Sequence, residues 1–219
     1  ETIGKAVGGL IPYMLVIFIF LGAMYPAIDL GAGEKERGSL ETLLSSPATK
    51  FEITVGKLMV VSLAGMVSGL ISVIGISVPF YFIGNIPDQI KSTVLEIISP
   101  FIIVSVIILM IPIAIFFASM LLSISFYARS FKEAQSLMGP LNIIIIVPLM
   151  LTLGPGIEID HITALIPLIN VGLLTKEILA GSAQPIYFIE TLSSLLFFAA
   201  IGIRFSVYWF NKENTIFRV

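Results

Sequence analysis

Residues 33–47 read GEKERGSLETLLSSP, the longest strongly charged run in an otherwise apolar chain. The run is flanked on both sides by apolar segments of membrane-spanning length, since a helix needs roughly 20 apolar residues to cross about 30 Å of hydrocarbon. A dense charged run between two such segments must lie at the membrane surface or beyond it. We therefore expect this run to form a docking helix that contacts a soluble partner.

The composition supports a membrane protein. Hydrophobic residues make up 57% of the 219 residues and charged residues 12%, whereas a soluble domain carries about 25% charged residues. Half that charge density does not cover a soluble surface, so lipid must cover it. The chain has no cysteine and a single histidine, His161, which excludes disulfides, a thiolate metal site and a histidine-based metal site.

Five apolar runs predict an all-α, polytopic helical bundle. They occupy approximately residues 7–30, 58–83, 97–127, 137–153 and 188–210. Capping-box patterns at Thr49 to Glu52 and at Ser130 to Glu133 predict helix starts in water just ahead of the second and fourth runs. No repeat of 20–50 residues is visible, so residues 1–219 are interpreted as one transmembrane domain.

The segment 154–185 fits none of these spans. It is too polar to cross the membrane and too apolar for a solvated loop, and its apolar runs have the length of re-entrant or interfacial helices. We predict two short helices there, at the outer face, around a turn between Pro167 and Gly172.

The orientation follows from the distribution of Lys and Arg, which favours cytoplasmic loops. With residues 33–47 in the cytoplasm, nine of the 12 basic residues fall on that side, and only Lys5, Lys91 and Lys176 fall on the other. The prediction is a multi-pass protein of the cell membrane with its N-terminus outside and its C-terminus in the cytoplasm.

The charged run has two faces as a helix. Leu40, Leu43 and Leu44 share one face by their spacing, and the opposite face carries Glu36, Arg37, Glu41 and Thr42, with Gly33 and Gly38 as natural break points. One interpretation is a surface helix among lipid headgroups, but such helices are usually rich in Lys and Arg. A mixed-charge helix with a leucine ridge better suits a groove on a protein.

The sequence resembles a known family in several places. The motifs are EKERGSLETLLSSP at 34–47, GAMYPAID at 22–29, ARSFKEAQ at 128–135 and WFNKE at 209–213. Together they resemble the permeases of ABC exporters of the second exporter type, and most of all the NatB-like sodium-export permeases. The resemblance covers nearly all of the chain.

The resemblance implies a fold and a role for particular residues. Such permeases have six spans with an extracytoplasmic domain between the first two, so the family's first span and that domain would be absent from this chain. The implied coupling helix, which sits in a groove of the ATP-binding subunit, comprises Glu34, Lys35, Glu36, Arg37, Gly38, Leu40, Glu41, Leu43 and Leu44. Two short helices before the last span form an outer gate in the family, here at Pro167, Asn170 and Gly172.

The partners follow from what the chain lacks and from the resemblance. No Gly-x-x-x-x-Gly-Lys-Ser/Thr loop occurs, so ATP and Mg are expected on a separate ATP-binding subunit and this chain is expected to be a transport subunit without a cofactor or enzymatic activity. A second permease chain, identical or similar, would be needed to enclose a pathway. Nucleic acid is not an expected partner.

Few polar groups lie in the predicted spans, where such groups are costly and usually functional. The candidates for a pathway are Asn142, Asp29 and Thr152, with serine hydroxyls at 68, 72 and 123 as possible further oxygen ligands, because a cation such as sodium needs hard oxygen donors. The alternatives are an interhelical hydrogen bond for Asn142 and an interfacial ion pair of Asp29 with Lys35 or Arg37.

The predicted function is therefore an ATP-driven export permease, with sodium as cargo. Export of a lipid, glycan or peptide by the same type of protein is the first alternative. An intramembrane hydrolase is disfavoured, because His161 is expected on the opposite face from Glu34 and Glu36 and no serine has an evident base. A passive structural protein would not require the charged run.

Overall fold

The computed structural model describes residues 2–82, 99–154 and 156–212, which contain helices and no strand. In chain order the α-helices are α1 (Thr2–Ile28), α2 (Glu34–Glu36), α3 (Ser39–Leu44), α4 (Lys50–Phe82), α5 (Pro100–Tyr127), α6 (Phe131–Thr152), α7 (Ile169–Ala180) and α8 (Pro185–Asn211). Of these, α1, α4, α5, α6 and α8 are long and apolar enough to cross a membrane. The predicted all-α bundle with five spans is confirmed.

The boundaries differ from the predicted ones because helices continue beyond their apolar runs. For example, α6 begins at Phe131 and α8 at Pro185, ahead of the apolar stretches that marked them in the sequence. The predicted ends near residues 83 and 97, the charges between them and the tail after Lys212 lie outside the described residues.

Both predicted helix starts are confirmed by side-chain caps. The Thr49 N–H donates to the Glu52 carboxylate at 2.8 Å, and the Glu52 N–H donates to the Thr49 hydroxyl at 3.2 Å, which is a complete capping box. At α6 the Glu133 N–H donates to the Ser130 hydroxyl at 3.2 Å, but the Glu133 carboxylate accepts from the N–H of Arg129 rather than of Ser130.

Small residues let the long helices approach closely. A Cβ atom added at Gly22 of α1 would lie 2.1 Å from the Ser68 Oγ of α4, and one at Gly202 of α8 would lie 2.0 Å from the Ser119 Oγ of α5. Lipid tails provide no hydrophobic force between helices, so such close backbone packing is a main source of association in membranes. This close packing brings α1 against α4 and α5 against α8. Of the five spans, α1 and α5 are the most buried.

The five spans alternate in direction, which defines two ends of the bundle. At one end α1, α5 and α8 finish while α4 and α6 begin, and we call it the elbow end. There the Lys57 Nζ of α4 lies 5.8 Å from the Phe210 ring centroid of α8. At the other, the loop end, Ser194 of α8 donates to the Leu165 carbonyl of the segment between α6 and α8.

The segment between α6 and α8 contains two short helical elements, as predicted, but they are unequal. The first is a single 3₁₀ turn, Thr163–Leu165, and the second is α7 with 12 residues. The turn between them is also shorter than expected, with Leu168 at φ 78° as its last residue. Asn170 and Gly172 therefore lie in α7 rather than in the turn, buried against the bundle.

Candidate functional site: a polar hub at the elbow end

The charged run is continuous with the first span. A π-helical turn, Asp29–Gly33, joins α1 to α2 without a break, and Gly38, at φ 72°, separates α2 from α3. We call residues 29–44 the elbow. Of the two predicted break points, Gly38 separates two helices and Gly33 does not. The predicted single docking helix is thus two short helices, since an αL residue interrupts the helical hydrogen bonds.

Ser125 of α5 supports the π-helical turn. Its hydroxyl accepts a hydrogen bond from the Ala32 N–H at 2.8 Å and donates to the Ile28 carbonyl at 3.3 Å. A π-helical turn displaces the regular helical hydrogen bonds, and such turns are frequent at functional sites. Gly31 permits the approach, because a Cβ there would lie 2.2 Å from the Ser125 Oγ.

Glu34 forms a buried ion pair with Lys57 of α4. Lys57 is 5% exposed, its ammonium group also donates to the Leu30 carbonyl, and it lies 5.9 and 5.8 Å from the ring centroids of Phe126 and Phe210. An unpaired charge at such a site would be strongly destabilising, so separating the two side chains is energetically costly.

The next two residues contact the ends of two other spans. The Lys35 ammonium group donates to the carbonyls of Phe126 and Ala128 at the C-terminus of α5. The Glu36 carboxylate accepts from the Phe131 N–H at the N-terminus of α6, at 2.8 Å. A cation at a helix C-terminus and an anion at a helix N-terminus both complement the helix dipole. The elbow is thereby tied to α4, α5 and α6. We call Glu34, Lys35 and Glu36, together with the groups that they contact on these helices and with Ser125, the hub.

Arg37 forms an ion pair within the elbow. Its Nη1 lies 2.7 Å from the Asp29 Oδ1, which confirms the predicted pairing of Asp29 with a neighbouring basic residue. The hydrogen bond from Arg37 to Asp29 raises the pKa of the guanidinium above its usual value. Both side chains are more than a third exposed, so solvent screens the pair and its contribution to stability is small.

The leucine ridge faces the protein's own interior. Leu40 is 3% exposed, and Leu43 and Leu44 are partly buried against the same core. This differs from the expectation that the ridge would enter a partner's groove, because the bundle itself supplies the apolar surface that the ridge covers. The exposed surface of the elbow is polar, and it consists of Glu36, Arg37, Gly38, Ser39, Glu41 and Thr42.

The three candidate pathway residues do not come together. Asp29 lies at the elbow end, and Thr152 lies at the loop end, where its hydroxyl donates to the Leu149 carbonyl of its own helix at 2.6 Å. Asn142 lies about 15 Å from Thr152 along α6 at 1.5 Å per residue, and its amide donates to the Gly139 carbonyl at 3.1 Å. The hydroxyls of Ser72 and Ser123 also donate to carbonyls of their own helices.

The candidate gate residues lie together at the loop end. Asn170 is fully buried, and its amide donates to the Ala164 carbonyl at 3.0 Å. A Cβ at Gly172 would lie 2.9 Å from the Thr152 side chain. Pro167 lies in the turn just ahead of α7. Lys176 of α7 donates to three carbonyls at and beyond the C-terminus of α6, at 3.3–3.4 Å, those of Thr152, Gly154 and Ile157.

The only histidine of the chain is far from the elbow. The His161 Nδ1 lies 2.8 Å from the Glu190 Oε1. Glu190 lies about 30 Å along α8 from Phe210, the neighbour of Lys57, at 1.5 Å per residue. Within the described ranges no three His, Cys, Asp or Glu side chains are grouped so as to hold a metal. The geometry gives no support to a hydrolase built on Glu34 and Glu36.

Sequence reasoning missed several residues of the hub. The sequence predicts a cytoplasmic basic residue at Lys57 and a helix-packing serine at Ser125, but no contact of either with the charged run. The available signal was the position of Lys57 at the start of an apolar stretch, where a charge has little water around it and requires a partner.

Comparisons with known proteins agree with this architecture. The family model described as ABC-2 family transporter protein matches residues 3–215. The chain is 29% identical over 212 residues to the ABC transporter permease protein NatB of Bacillus subtilis (strain 168), an alignment that covers 94% of this chain and 53% of that protein. The chain thus spans about half the length of this curated relative. No solved structure matches the chain. The chain is a multi-pass membrane protein that belongs to the ABC-2 family of transporter proteins.

Proposed function

We propose that this chain is the permease part of an ATP-driven ABC exporter and that its elbow receives the motion of a separate ATP-binding subunit. One observation carries the proposal. The elbow continues α1 and is tied to α4, α5 and α6 through Glu34, Lys35 and Glu36. A force applied to the elbow is therefore transmitted to four spans at once.

The docking surface that we propose is the polar side of the elbow. With the leucines packed inward, the residues open to a partner include Arg37, Glu41 and Thr42. The basic residues clustered at this end favour its placement in the cytoplasm, where an ATP-binding subunit with its Mg and ATP would dock. The N-terminus of this chain would then lie outside and its C-terminus inside.

We propose sodium as the cargo, by analogy with the family that the sequence resembles. The candidate oxygen donors Asp29, Asn142 and Thr152 do not come together within a single chain, as a sodium site would require. A sodium pathway would therefore be completed by a second permease chain. Efflux of labelled sodium from vesicles that contain both subunits tests this, and unchanged efflux after Asn142→Leu would remove Asn142 from the pathway.

A lipid, glycan or peptide cargo is the second candidate. The observation that favours it is that the candidate polar residues Asp29, Asn142 and Thr152 lie apart from one another in the structure. These three side chains of one chain therefore do not offer a passing ion a grouped set of oxygen donors. A test of whether added lipid, glycan or peptide competes with sodium efflux in the same vesicles would distinguish the two candidate cargoes.

The docking role is tested by charge reversal on the exposed elbow. Glu41→Lys alters the docking surface without touching the hub, and we expect about a tenfold loss of ATP turnover stimulated by the permease, since close charges across an interface are worth about 1.5 kcal/mol or more. Gln135→Lys, an exposed change on α6 at the same end, is the matched control. Glu34→Lys is unsuitable, because it would also break the buried pair with Lys57.

Both variants should insert into the membrane and unfold as the parent does. Wild-type coupled turnover in Glu41→Lys, with normal amounts of complex, would contradict docking through this surface.

A further inference from the structure

A cleft opens between three spans near the elbow end, separate from the elbow. Its volume is about 310 Å³, and it is lined by Ser123, Ile124, Tyr127, Leu137, Phe205 and Trp209, which belong to α5, α6 and α8. The volume lies at the lower end of the roughly 300–1,000 Å³ of ligand pockets. The lining is mostly apolar, since aliphatic and aromatic side chains supply it, and its Ser123 hydroxyl donates to the Ser119 carbonyl at 2.6 Å.

The mouth of the cleft is aromatic and lies at the level of the helix ends. Tyr127 is the last residue of α5, and Trp209 lies two residues before the end of α8. Their rings meet edge to face with centroids 5.3 Å apart, and Phe205 flanks the indole at 6.0 Å. Tryptophan and tyrosine concentrate at the depth of lipid headgroups, so an apolar ligand of this cleft would come from the bilayer.

One basic side chain lies at this mouth, and two more belong to the chain that connects the helices lining the cleft. The Lys212 ammonium group lies 5.1 Å from the Trp209 ring centroid and 5.7 Å from that of Tyr208. Arg129 is exposed on the short connection between α5 and α6, two of the helices that line the cleft, and Lys132 is exposed in the first turn of α6. The nearby carboxylate of Glu133 accepts the Arg129 N–H.

We propose that this cleft binds an anionic phospholipid, with an acyl chain between α5, α6 and α8 and the phosphate between Lys212 and Arg129. Basic pockets between spans on the cytoplasmic side are suited to anionic headgroups. A second copy of this chain is a poorer occupant, because a symmetric contact would bring one basic rim against the other. The proposal rests on the proposed cytoplasmic placement of the elbow end, but not on the cargo or on the docking role of the elbow.

The chain has a built-in reporter, because Trp209 is its single tryptophan. The full chain is placed in phosphatidylcholine vesicles that contain brominated phosphatidylglycerol or brominated phosphatidylcholine at the same low mole fraction. Bromine on the acyl chain quenches indole fluorescence at close range. We expect the brominated phosphatidylglycerol to quench Trp209 more strongly, and the difference to shrink as salt screens the headgroup contact.

Charge variants identify the headgroup contacts. Lys212→Gln and Arg129→Gln should each weaken the preference for phosphatidylglycerol about fivefold, the effect of one basic residue near an anionic surface. Lys212→Arg should retain it, which separates loss of charge from a change in the surroundings of Trp209. Lys50→Gln removes a charge from α4, which does not line the cleft, and should leave the preference unchanged.

Two results would overturn the proposal. Equal quenching by the two brominated lipids in the parent protein would show that the cleft does not select an anionic headgroup. Absence of quenching by either lipid would show that protein, such as a second copy of the chain, covers the cleft.

Discussion

The two ends of the bundle are held by different means. At the elbow end, acidic and basic side chains of one short segment are paired with other spans, and one pair is buried. At the loop end, Lys176 of α7 reaches only neutral carbonyls near the end of α6, over 3.3–3.4 Å. A buried ion pair fixes one geometry, because breaking it is costly, whereas long hydrogen bonds to carbonyls are readily exchanged for water. We infer that the contact between Lys176 and the end of α6 breaks more readily than the buried pair of Glu34 and Lys57.

The largest expected effect concerns the buried lysine. Lys57→Met leaves the Glu34 carboxylate without its partner and should lower the free energy of unfolding by about 3–5 kcal/mol. Lys176→Met at the loop end removes hydrogen bonds from an ammonium group to neutral carbonyls and leaves no unpaired charge, so it should cost less, about 1.5–3 kcal/mol. Unfolding of the purified protein in detergent, followed by circular dichroism, measures both.

The double variant Lys57→Met with Glu34→Gln should recover part of the loss, because no uncompensated charge remains. If Lys57→Met costs no more than Lys176→Met, the two ends do not differ as we describe.

A smaller effect is expected from the close-packed glycines. A Cβ at Gly31 would lie 2.2 Å from the Ser125 Oγ, and one at Gly172 would lie 2.9 Å from the Thr152 side chain. Gly31→Ala should therefore destabilise by about 1–3 kcal/mol as an overpacked site, and Gly172→Ala should cost less. Gly56→Ala is the matched control, because nothing lies within 4 Å of a Cβ there, and thermal unfolding compares the three. If Gly172→Ala lowered the stability more than Gly31→Ala, the loop end rather than the elbow end would be the more tightly packed one.

The smallest effect is a pH dependence at Asp160, at the loop end. The Thr163 hydroxyl and N–H donate to the Asp160 carboxylate at 2.6 and 2.7 Å, and these hydrogen bonds lower the pKa of Asp160 below its ordinary value of 3.8. A lowered pKa means that the stabilisation is complete above pH 3.8 and is lost as the pH falls through the lowered pKa.

Amide exchange at Thr163, normalised for the intrinsic effect of pH, should therefore become faster in acid. In Asp160→Asn the normalised rate should not change with pH over this range. An unchanged acid response in that variant would assign the effect to another group.

Much of the fold could be predicted because its signals are local. Five apolar runs of sufficient length gave the number of spans, and the caps at Thr49 and Ser130 gave two helix starts, since a cap and its partner are three residues apart. A pairing of Asp29 with Lys35 or Arg37 was also predictable, because all three are close in sequence, and the structure selects Arg37. Boundaries were less accurate, since a helix continues beyond the apolar run that reveals it.

The candidate site was only partly predictable. The sequence identified the charged run but not the partners of Glu34, Lys35 and Glu36, which lie on α4, α5 and α6. It also assigned the leucine ridge to a partner, because a periodic pattern shows that residues share a face and not which surface that face meets.

The sequence by itself determined that this protein is a five-span helical bundle with one charged segment between the first two spans, because length, hydrophobicity and capping act over a few residues. Only the tertiary structure decided that this segment binds three other spans through Glu34, Lys35 and Glu36 and turns its leucines inward. The physical reason is that buried charges and apolar faces take whichever partners the packing of distant helices brings near them.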